Sequence, residues 1–483
     1  MSFSRPLLIH IYYPESRYAK ISTSPPAGIG YLSGMLSAHK IDHSVIDVGL
    51  GYSMNEIKDR ITKEHPDVIG VSLMSLYYKR SYEFIRWMKR LSPMVRIAVG
   101  GPHVTTHRNK VLEECSSIDY AIVGEGEHTW VELCRGGRAD RIKGLIHRVD
   151  SRVVCNGPRP LIQELDEIPF PKYEKFELAR YTAGIPILSS RGCPYRCIFC
   201  QQSSMLGKRW RMRSAENLFR EIQYWYERGH RAIHFLDDNF TLKKERISKL
   251  CKLIKSQGLK DMQFSAAGVH VNHVDRKLLI EMKEVGFNYL AFGVESGSDK
   301  ILKVLKKGIT VKQVENTLKV ASDLNYKIKL YFIVGSPYET LDDVKASIRL
   351  ALKYPVALAR FTNMVPYEGS ALMDWIRESG RLLYQPEEYL NRPDRFYNIP
   401  IFDGPGMSIK EKQTAFQLSA RAIKKIDKKY GIKNVSKIIK DKCGYFTPVA
   451  RFIYLVYHYS QSSRLLNKIN FLNRIKKRMV YSS

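Results

Sequence analysis

The chain has 483 residues, of which 44% are hydrophobic and 26% charged, with a formal net charge of +30 at pH 7. That length allows two or three domains with separate cores, and that balance excludes a disordered chain. Eight cysteines, five of them scattered singly, exclude a secreted disulfide framework, and no apolar run approaches the ~20 residues that span a bilayer.

A cytoplasmic protein is therefore expected, free or peripheral on a membrane. The N-terminus runs straight into an apolar strand and does not read as a signal peptide. The positive charge points to anionic partners, namely nucleic acid, phospholipid headgroups or a phosphorylated substrate, or else to a generally lysine-rich surface.

Residues 1–135 alternate short apolar runs with helical patterns. Strands are predicted at 7–12, 44–47, 68–72, 95–99 and 120–123, and helices at 28–38, 55–64 and 82–89. Five such strands predict an open, doubly wound parallel sheet of Rossmann-like type, with ligands beyond its C-terminal strand ends. Those ends and the adjoining turns carry Gly28, Gly30, Ser72, Gly100, Gly101, Pro102, His103, Gly124, Glu125 and Gly126. Glycine there lets a backbone approach a bulky ligand. Glu125 and Glu127 are equally readable as acids favouring a helix N-terminus.

Residues 136–183 read as a connector, with a small hairpin over 138–154 and helix-breaking Pro158, Pro160, Pro169 and Pro171. From 184 to 370 the alternation resumes, with strands predicted at 185–188, 232–236, 263–267, 290–294, 328–334 and 358–365. Six units of this kind predict a partial (β/α)6 barrel, whose chemistry belongs at the C-terminal strand ends. Residues 371–483 read as a basic, mainly helical C-terminal region. It contains a helix at 416–429 and a last amphipathic one at 464–479, in which six Arg and Lys flank an apolar stripe.

Immediately after the first barrel strand stand Cys193, Cys197 and Cys200, at C-x3-C-x2-C spacing. Three thiolates at a strand's C-terminal edge can hold three irons of a [4Fe–4S] cube and leave the fourth open to a small ligand. Zinc is the competing reading, but no His or fourth Cys follows nearby to close a tetrahedral site. Three unrelated buried cysteines are the remaining alternative.

With Phe199 between the last two cysteines, this stretch resembles the signature of the radical S-adenosylmethionine (SAM) enzymes, C-x3-C-x-aromatic-C. The resemblance implies a [4Fe–4S] cluster on Cys193, Cys197 and Cys200, with SAM chelating the open iron and cleaved reductively to a 5′-deoxyadenosyl radical. It implies an electron donor such as a flavodoxin or ferredoxin, and Phe199 near the adenine. Asp237, Asp238 and Asn239 occupy the place where the family binds the SAM amino group. Glu295 and Ser296, and likewise Gly335 and Pro337, match further SAM-contacting segments. Residues 25–32, 100–105 and 124–127 resemble the cobalamin-binding domain that precedes the barrel in one subgroup, which implies cobalamin as a further cofactor. The D-x-H-x-x-G motif that supplies a histidine below the cobalt is absent, and His103 would need a different geometry.

Three activities are compatible with these residues. The first is cobalamin-dependent methyl transfer to an unactivated carbon. The second is C–C bond formation, cyclisation or oxidation without methyl transfer, and the third is tRNA modification. The last is disfavoured because the first domain holds only Cys115 and Cys134 where a second cluster needs three, and no RNA-binding module follows. Nucleic acid is thus not the expected partner. A small molecule, or a membrane lipid or polyisoprenoid met through the terminal basic helix, is the expected substrate.

Overall fold

The computed structural model describes residues 2–11, 24–205 and 207–443, with Ser203 and 431–443 by backbone alone. The amphipathic segment at 464–479 lies outside the described residues.

The first sheet has seven strands: β1 (Pro6–His10), β2 (Ser44–Asp47), β3 (Val68–Ser72), β4 (Arg96–Gly100), β5 (Tyr120–Ile122), β6 (Leu145–Val149) and β7 (Arg152–Cys155), in the order β2-β1-β3-β4-β5-β6-β7. The first five are parallel, in register Leu7↔Ser44, Leu7↔Ile69, Ile69↔Ile97 and Ala98↔Tyr120. Successive side chains point to opposite faces. Leu7 and Ile9 accordingly enter one core with Ile57, Ile85 and Leu112, while Leu8 enters the other with Met35 and Trp130. The helices that cover these faces are α1 (Ala27–Ala38), α2 (Met54–Glu64), α3 (Tyr78–Leu91), α4 (Pro102–His107), α5 (Asn109–Glu114) and α6 (Glu127–Cys134). The hairpin expected in the connector forms as β6–β7, but it pairs antiparallel with β5 and extends the first sheet.

The second sheet contains β8 (Ile185–Ile187), then, past a two-stranded ladder of β9 (Ser190–Arg191) with β10 (Arg211–Met212), strands β11 (Ala232–Phe235), β12 (Gln263–Val269), β13 (Phe287–Glu295), β14 (Lys327–Val334) and β15 (Leu358–Asn363). All six main strands are parallel and run β15-β14-β13-β12-β11-β8, in sequence order and without pairing of the two ends, which is the expected open barrel. The cluster segment contributes α7 (Gln202–Met205). Outside the barrel lie α8 (Ala215–Glu227), α9 (Lys244–Ser256), α10 (Arg276–Glu284), α11 (Asp299–Val304), α12 (Val311–Asp323) and α13 (Leu341–Lys353). Local chemistry fixes several starts: Ser53 with Glu56, Thr310 with Gln313 and Thr340 with Asp343 form reciprocal capping boxes on α2, α12 and α13. Phe264 and Phe287 stack at 4.8 Å in the barrel core, each fully buried.

Beyond the barrel, α14 (Ala371–Ser379) and α15 (Pro386–Asn391) precede α16 (Ile409–Cys443), which contains the predicted helix at 416–429. Between α14 and α16 the chain returns to the first sheet, where Tyr389, Leu390, Phe396 and Ile401 join the core around α3. Among the described residues no helix is long and apolar enough to cross a membrane.

Candidate active site

The three cysteines lie on the excursion between β9 and β10. Gly192 opens it at φ +85, where a Cβ would stand 2.2 Å from the Arg209 carbonyl oxygen, so only glycine fits. The segment is pinned from two sides: Ile198 N–H donates to the Leu305 carbonyl at the end of α11 (3.2 Å), and Leu372 N–H of α14 donates to the Ile198 carbonyl (2.8 Å). Burial pushes all three thiols up, Cys197 to about 11. The Lys307 ammonium and, for Cys200, the Gln202 backbone N–H oppose that shift. Cys193 and Cys200 each raise Cys197 further, so the thiols are mutual electrostatic neighbours. Among the described residues no three His, Cys, Asp or Glu converge on one ion position, as a mononuclear zinc requires. A cubane instead takes one thiolate on each of three irons. Partly buried thiols beside a cation and a backbone donor fit a group that binds thiolate and tolerates exclusion of water.

Next to the thiols lies a cavity of about 350 Å³ at the barrel mouth, lined by Asp238, His270, Gly293, Glu295, Lys307 and Tyr331 among others. Of the residues expected to meet SAM, Asp238 and Glu295 face it. Asp237 does not. Its carboxylate accepts from Ser189 N–H (3.2 Å), Ser189 Oγ (2.8 Å) and Ser190 Oγ (2.5 Å), and Arg246 lies beside it, so it is spent on holding the strand ends together. Burial raises both acids, and Asp237 adds to the rise at Asp238. Asn239 and Ser296 are fully buried and do not line this cavity; the Asn239 side chain hydrogen-bonds the Cys193 thiol instead. Glu295 follows a β-bulge, has φ +70 and pairs with Lys307 at 2.9 Å, both side chains nearly buried. Such a backbone in a non-glycine residue is sparsely populated and marks sites held by their surroundings. Burial alone would lower the Lys307 ammonium, but Glu295 and the thiols raise it on balance. Nothing in the sequence separated Lys307 from its neighbour Lys306; the fold tucks most of the one away and leaves the other exposed.

A larger cavity, about 390 Å³, separates the C-terminal edges of the two sheets. Gly28, Ser72, Gly100, Gly101, Pro102, Gly124, Glu125 and Gly126 line it from the first sheet, and Gly192, Gln202, Met205 and Asp238 from the barrel. A Cβ on Gly28 or Gly124 would meet nothing within 4 Å, so these glycines leave open floor where a broad planar ligand can lie. That fits a corrin.

Two expected residues stand elsewhere. Gly30 packs on the connector, where a Cβ would come 2.3 Å from the Tyr173 ring. His103 is turned into the core, stacked on Tyr78 at 4.6 Å, with its Nε2 3.0 Å from the Tyr82 hydroxyl. Burial, helped by His107 and Lys110, lowers its pKa to about 3.

Glu125 lines the cavity, yet both carboxylate oxygens are engaged. Arg191 donates to Oε1 (2.9 Å), and Arg211 (2.8 Å) and Ile162 N–H (2.8 Å) donate to Oε2. Arg191 also holds Glu127 at 2.6 Å, at the start of α6. Glu127 thus stands at the helix start, with its carboxylate taken by Arg191. This arginine directly precedes the cysteine segment, a charge at the end of an apolar run that could have been noticed in the sequence.

Phe199 lines a third, mainly apolar cavity with Ile333, Thr362, Tyr367, Tyr389 and Phe396. Gly335, at φ +95, and Ser336 donate their N–H groups to the Glu339 carboxylate, which closes the turn that also contains Pro337; neither Gly335 nor Pro337 lines a cavity described here.

A strand-end thiol segment on an open (β/α)6 barrel defines a class, and comparison with known proteins agrees with it. The Radical SAM superfamily model matches residues 187–351, and the B12 binding domain model matches 22–134. The chain is 36% identical over 373 residues to the uncharacterized methyltransferase PH0819 of Pyrococcus horikoshii, covering 75% of this chain and 80% of that protein. It is 26% identical to the cytidylyl-2-hydroxyethylphosphonate methyltransferase of Streptomyces wedmorensis, over 79% and 82% of the two chains. Among solved structures, cobalamin-dependent OxsB superposes with TM-score 0.69 at 18% identity, over 95% of this chain and 71% of that one. The methyltransferase TsrM of Kitasatospora setae superposes with TM-score 0.69 at 17% identity, over 87% and 89%. The chain is a radical SAM enzyme. Within that superfamily it belongs to the cobalamin-dependent, methyltransferase-like subgroup, and its cofactors are a [4Fe–4S] cluster, SAM and cobalamin.

Proposed function

We propose that this enzyme transfers a methyl group to an unactivated carbon of a membrane lipid or polyisoprenoid. When bound, the three cofactors supply the radical that removes a hydrogen atom and the methyl group that replaces it. The protein's part is to hold, orient and keep dry. Cys193, Cys197 and Cys200 would each bind one iron. Asp238 would accept hydrogen bonds from the SAM ammonium, because a carboxylate is a strong acceptor for a cation. The Glu295–Lys307 pair would bracket the polar end of SAM, and the glycine floor of the large cavity would carry the corrin.

One observation carries this reading: the cavities share walls. Asp238 lines both the large cavity and the barrel-mouth cavity, and Ile333 and Thr362 line both the latter and the apolar one. A substrate carbon in this row lies within reach of both ends. The preference for a lipid rests on the six basic side chains and apolar stripe of 464–479. Ring closure without methyl transfer is the second reading, since the chain is also 25% identical to the anaerobic magnesium-protoporphyrin IX monomethyl ester cyclase of Cereibacter sphaeroides, over 77% of this chain and 64% of that one.

Anaerobically reconstituted protein is expected to cleave SAM to 5′-deoxyadenosine after reduction, and Ala at Cys193, Cys197 or Cys200 to abolish cluster and cleavage together. Mass spectrometry of cells with and without the protein then decides the reaction. A lipid heavier by one methylene supports methyl transfer, whereas a dehydrogenated or cyclised product, or a water-soluble one, overturns that part of the proposal.

A further inference from the structure

Below its mouth the barrel is polar on the inside, although the outer wall of the same strands is apolar. On β14 and β15, Ile328, Leu330, Phe332, Ala359 and Phe361 enter the core under the helices. Side chains alternate along a strand, so Lys329, Tyr331 and Arg360 stand on the other face. Tyr331 lines the barrel-mouth cavity, as does Thr362, two residues above Arg360, so this face is the lumen. Register carries the lumen across the sheet: Tyr331 pairs with Arg360, Lys329 with Ala291, and Tyr289 with Ser265, which pairs with His234. Two cations in it are unspent. Among the described residues neither Lys329 nor Arg360 forms an ion pair or a hydrogen bond, and the Lys329 ammonium lies over the Tyr331 ring at 4.6 Å. Lys327, two residues deeper, has a partner of its own. Burial lowers the His234 imidazole to about 4, with Lys329 adding to the fall, so this ring brings no charge at working pH. Burial raises the Tyr289 hydroxyl, and the Arg360 guanidinium opposes the rise. Glu295, at the mouth and paired with Lys307, is the only Asp or Glu on strands β11 to β15.

From this lining we infer that the barrel lumen is a recognition site for a phosphate or diphosphate group, held by Lys329 and Arg360. The inference rests on the proposed function for the claim that this group belongs to the methyl acceptor. Like charges kept in one partly enclosed space repel each other and lose hydration, a cost that an anionic ligand removes. Two cations match a dianion, and the guanidinium fork takes phosphate oxygens two at a time. Ile333 and Thr362 both line the space assigned to SAM. At about 3.3 Å per residue, Arg360 stands roughly 7 Å below Thr362 and Lys329 roughly 13 Å below Ile333. The acceptor carbon is therefore one near the phosphorylated head of its molecule and not one at the far end of a long chain. Lys329 and Arg360 act as specificity residues and touch no reacting atom.

Titration calorimetry on the full-length holoenzyme, with inorganic pyrophosphate, geranyl diphosphate and geraniol as probes, tests this. Pyrophosphate is expected to bind whether or not SAM is present. Geranyl diphosphate is expected to bind at least about tenfold more tightly than geraniol, the factor that corresponds to ~1.4 kcal/mol. Lys329→Met combined with Arg360→Met is expected to remove pyrophosphate binding and, having lost two like charges from one space, to melt no lower than the wild type. Lys329→Arg, which keeps the charge, is expected to retain binding. Geraniol binding as tightly as its diphosphate, or pyrophosphate binding unchanged in the double variant, overturns the inference. So does displacement of SAM by pyrophosphate, which would assign these cations to SAM's own carboxylate. The wild-type comparison needs no variant to fold. Geranyl diphosphate binding more tightly than pyrophosphate ties the phosphate to an apolar chain. Equal binding of those two keeps the site and overturns the lipid reading instead.

Discussion

His103 stands two residues beyond the glycine pair that lines the large cavity, and its ring is nevertheless committed to the opposite side. Stacking on Tyr78 and the contact with the Tyr82 hydroxyl fill the α3–α4 interface, and burial keeps the imidazole neutral down to about pH 3. No histidine lines the large cavity among the described residues. Cobalamin is therefore expected to bind with no protein nitrogen on the cobalt. Electron paramagnetic resonance of the Co(II) form should lack nitrogen hyperfine splitting from a protein imidazole, and should be unchanged in His103→Phe. Splitting that disappears in the variant would contradict this. The same residue marks a boundary of what can be read from a sequence. The spacing of Cys193, Cys197 and Cys200, with Phe199 among them, was legible as a cluster signature, because a cluster constrains residue type and interval together. Which of Asp237 and Asp238 faces the cavity was not legible, since neighbouring residues in extended chain point to opposite sides and only the sheet's surroundings decide which side is inside.

Among the elements, the turn after β14 carries the clearest pH dependence. The Glu339 carboxylate lies fully buried, with one oxygen accepting from Gly335 N–H (2.7 Å) and Ser336 N–H (3.1 Å) and the other without a hydrogen-bond partner. The loop before α16 closes over it, with Tyr338 N–H donating to the Pro405 carbonyl and Met407 N–H to that of Glu339. Burial raises its pKa from 4.5 to about 8, opposed by those backbone donors. A folded pKa above the unfolded one means that the folded state holds the proton more tightly. This contribution is complete below about pH 4.5 and is lost as pH rises through about 8. Glu339→Gln, neutral throughout, is expected to flatten the fall in melting temperature between those values. At pH 8 it is expected to melt a few degrees above the wild type, the shift that about 1 kcal/mol gives in a domain of this size. A parallel fall in both proteins would contradict the assignment. The strands on either side of this turn were legible from their apolar runs, whereas the Thr340–Asp343 capping box emerged only in the fold. The attachment of the β6–β7 hairpin to β5 was not, because a short hairpin pairs with whichever sheet edge the fold leaves open.

In the whole molecule, the two halves meet across a buried set of charges. Arg191 and Arg211 of the barrel side face Glu125 and Glu127 of the first sheet, with every side chain at most 12% exposed. Burial raises the Glu125 carboxyl, but the two arginines outweigh it and hold the group below its ordinary value. Removing one partner of such a set strands the others and typically costs about 3–5 kcal/mol. Arg191→Ala is expected to melt markedly earlier and to take up less cluster. Arg191→Lys is expected to recover only part of this, since an ammonium cannot present the planar fork that spans two carboxylates.

The basic terminal segment is to be tested on the intact enzyme. Each basic side chain near an anionic bilayer contributes roughly 1 kcal/mol. Deleting residues 464–483 should reduce sedimentation with anionic liposomes at low salt and leave substrate-free SAM cleavage in place. Indifference of the full-length protein to such liposomes would remove the main support for a lipid substrate.

The returning segment has a further consequence, in time. Tyr77, at the start of α3, hydrogen-bonds through its hydroxyl to Asp394, 317 positions later, and through its backbone N–H to Leu390. At the ~5–20 residues per second of protein synthesis, the apolar face around α3 waits roughly 15–60 s for the chain that will cover it. During that interval the first sheet is folded but uncapped, and the apolar chamber does not yet exist. A nascent chain halted before residue 382 should bind chaperones or an apolar dye at this face, and release them once residues 382–401 have left the ribosome.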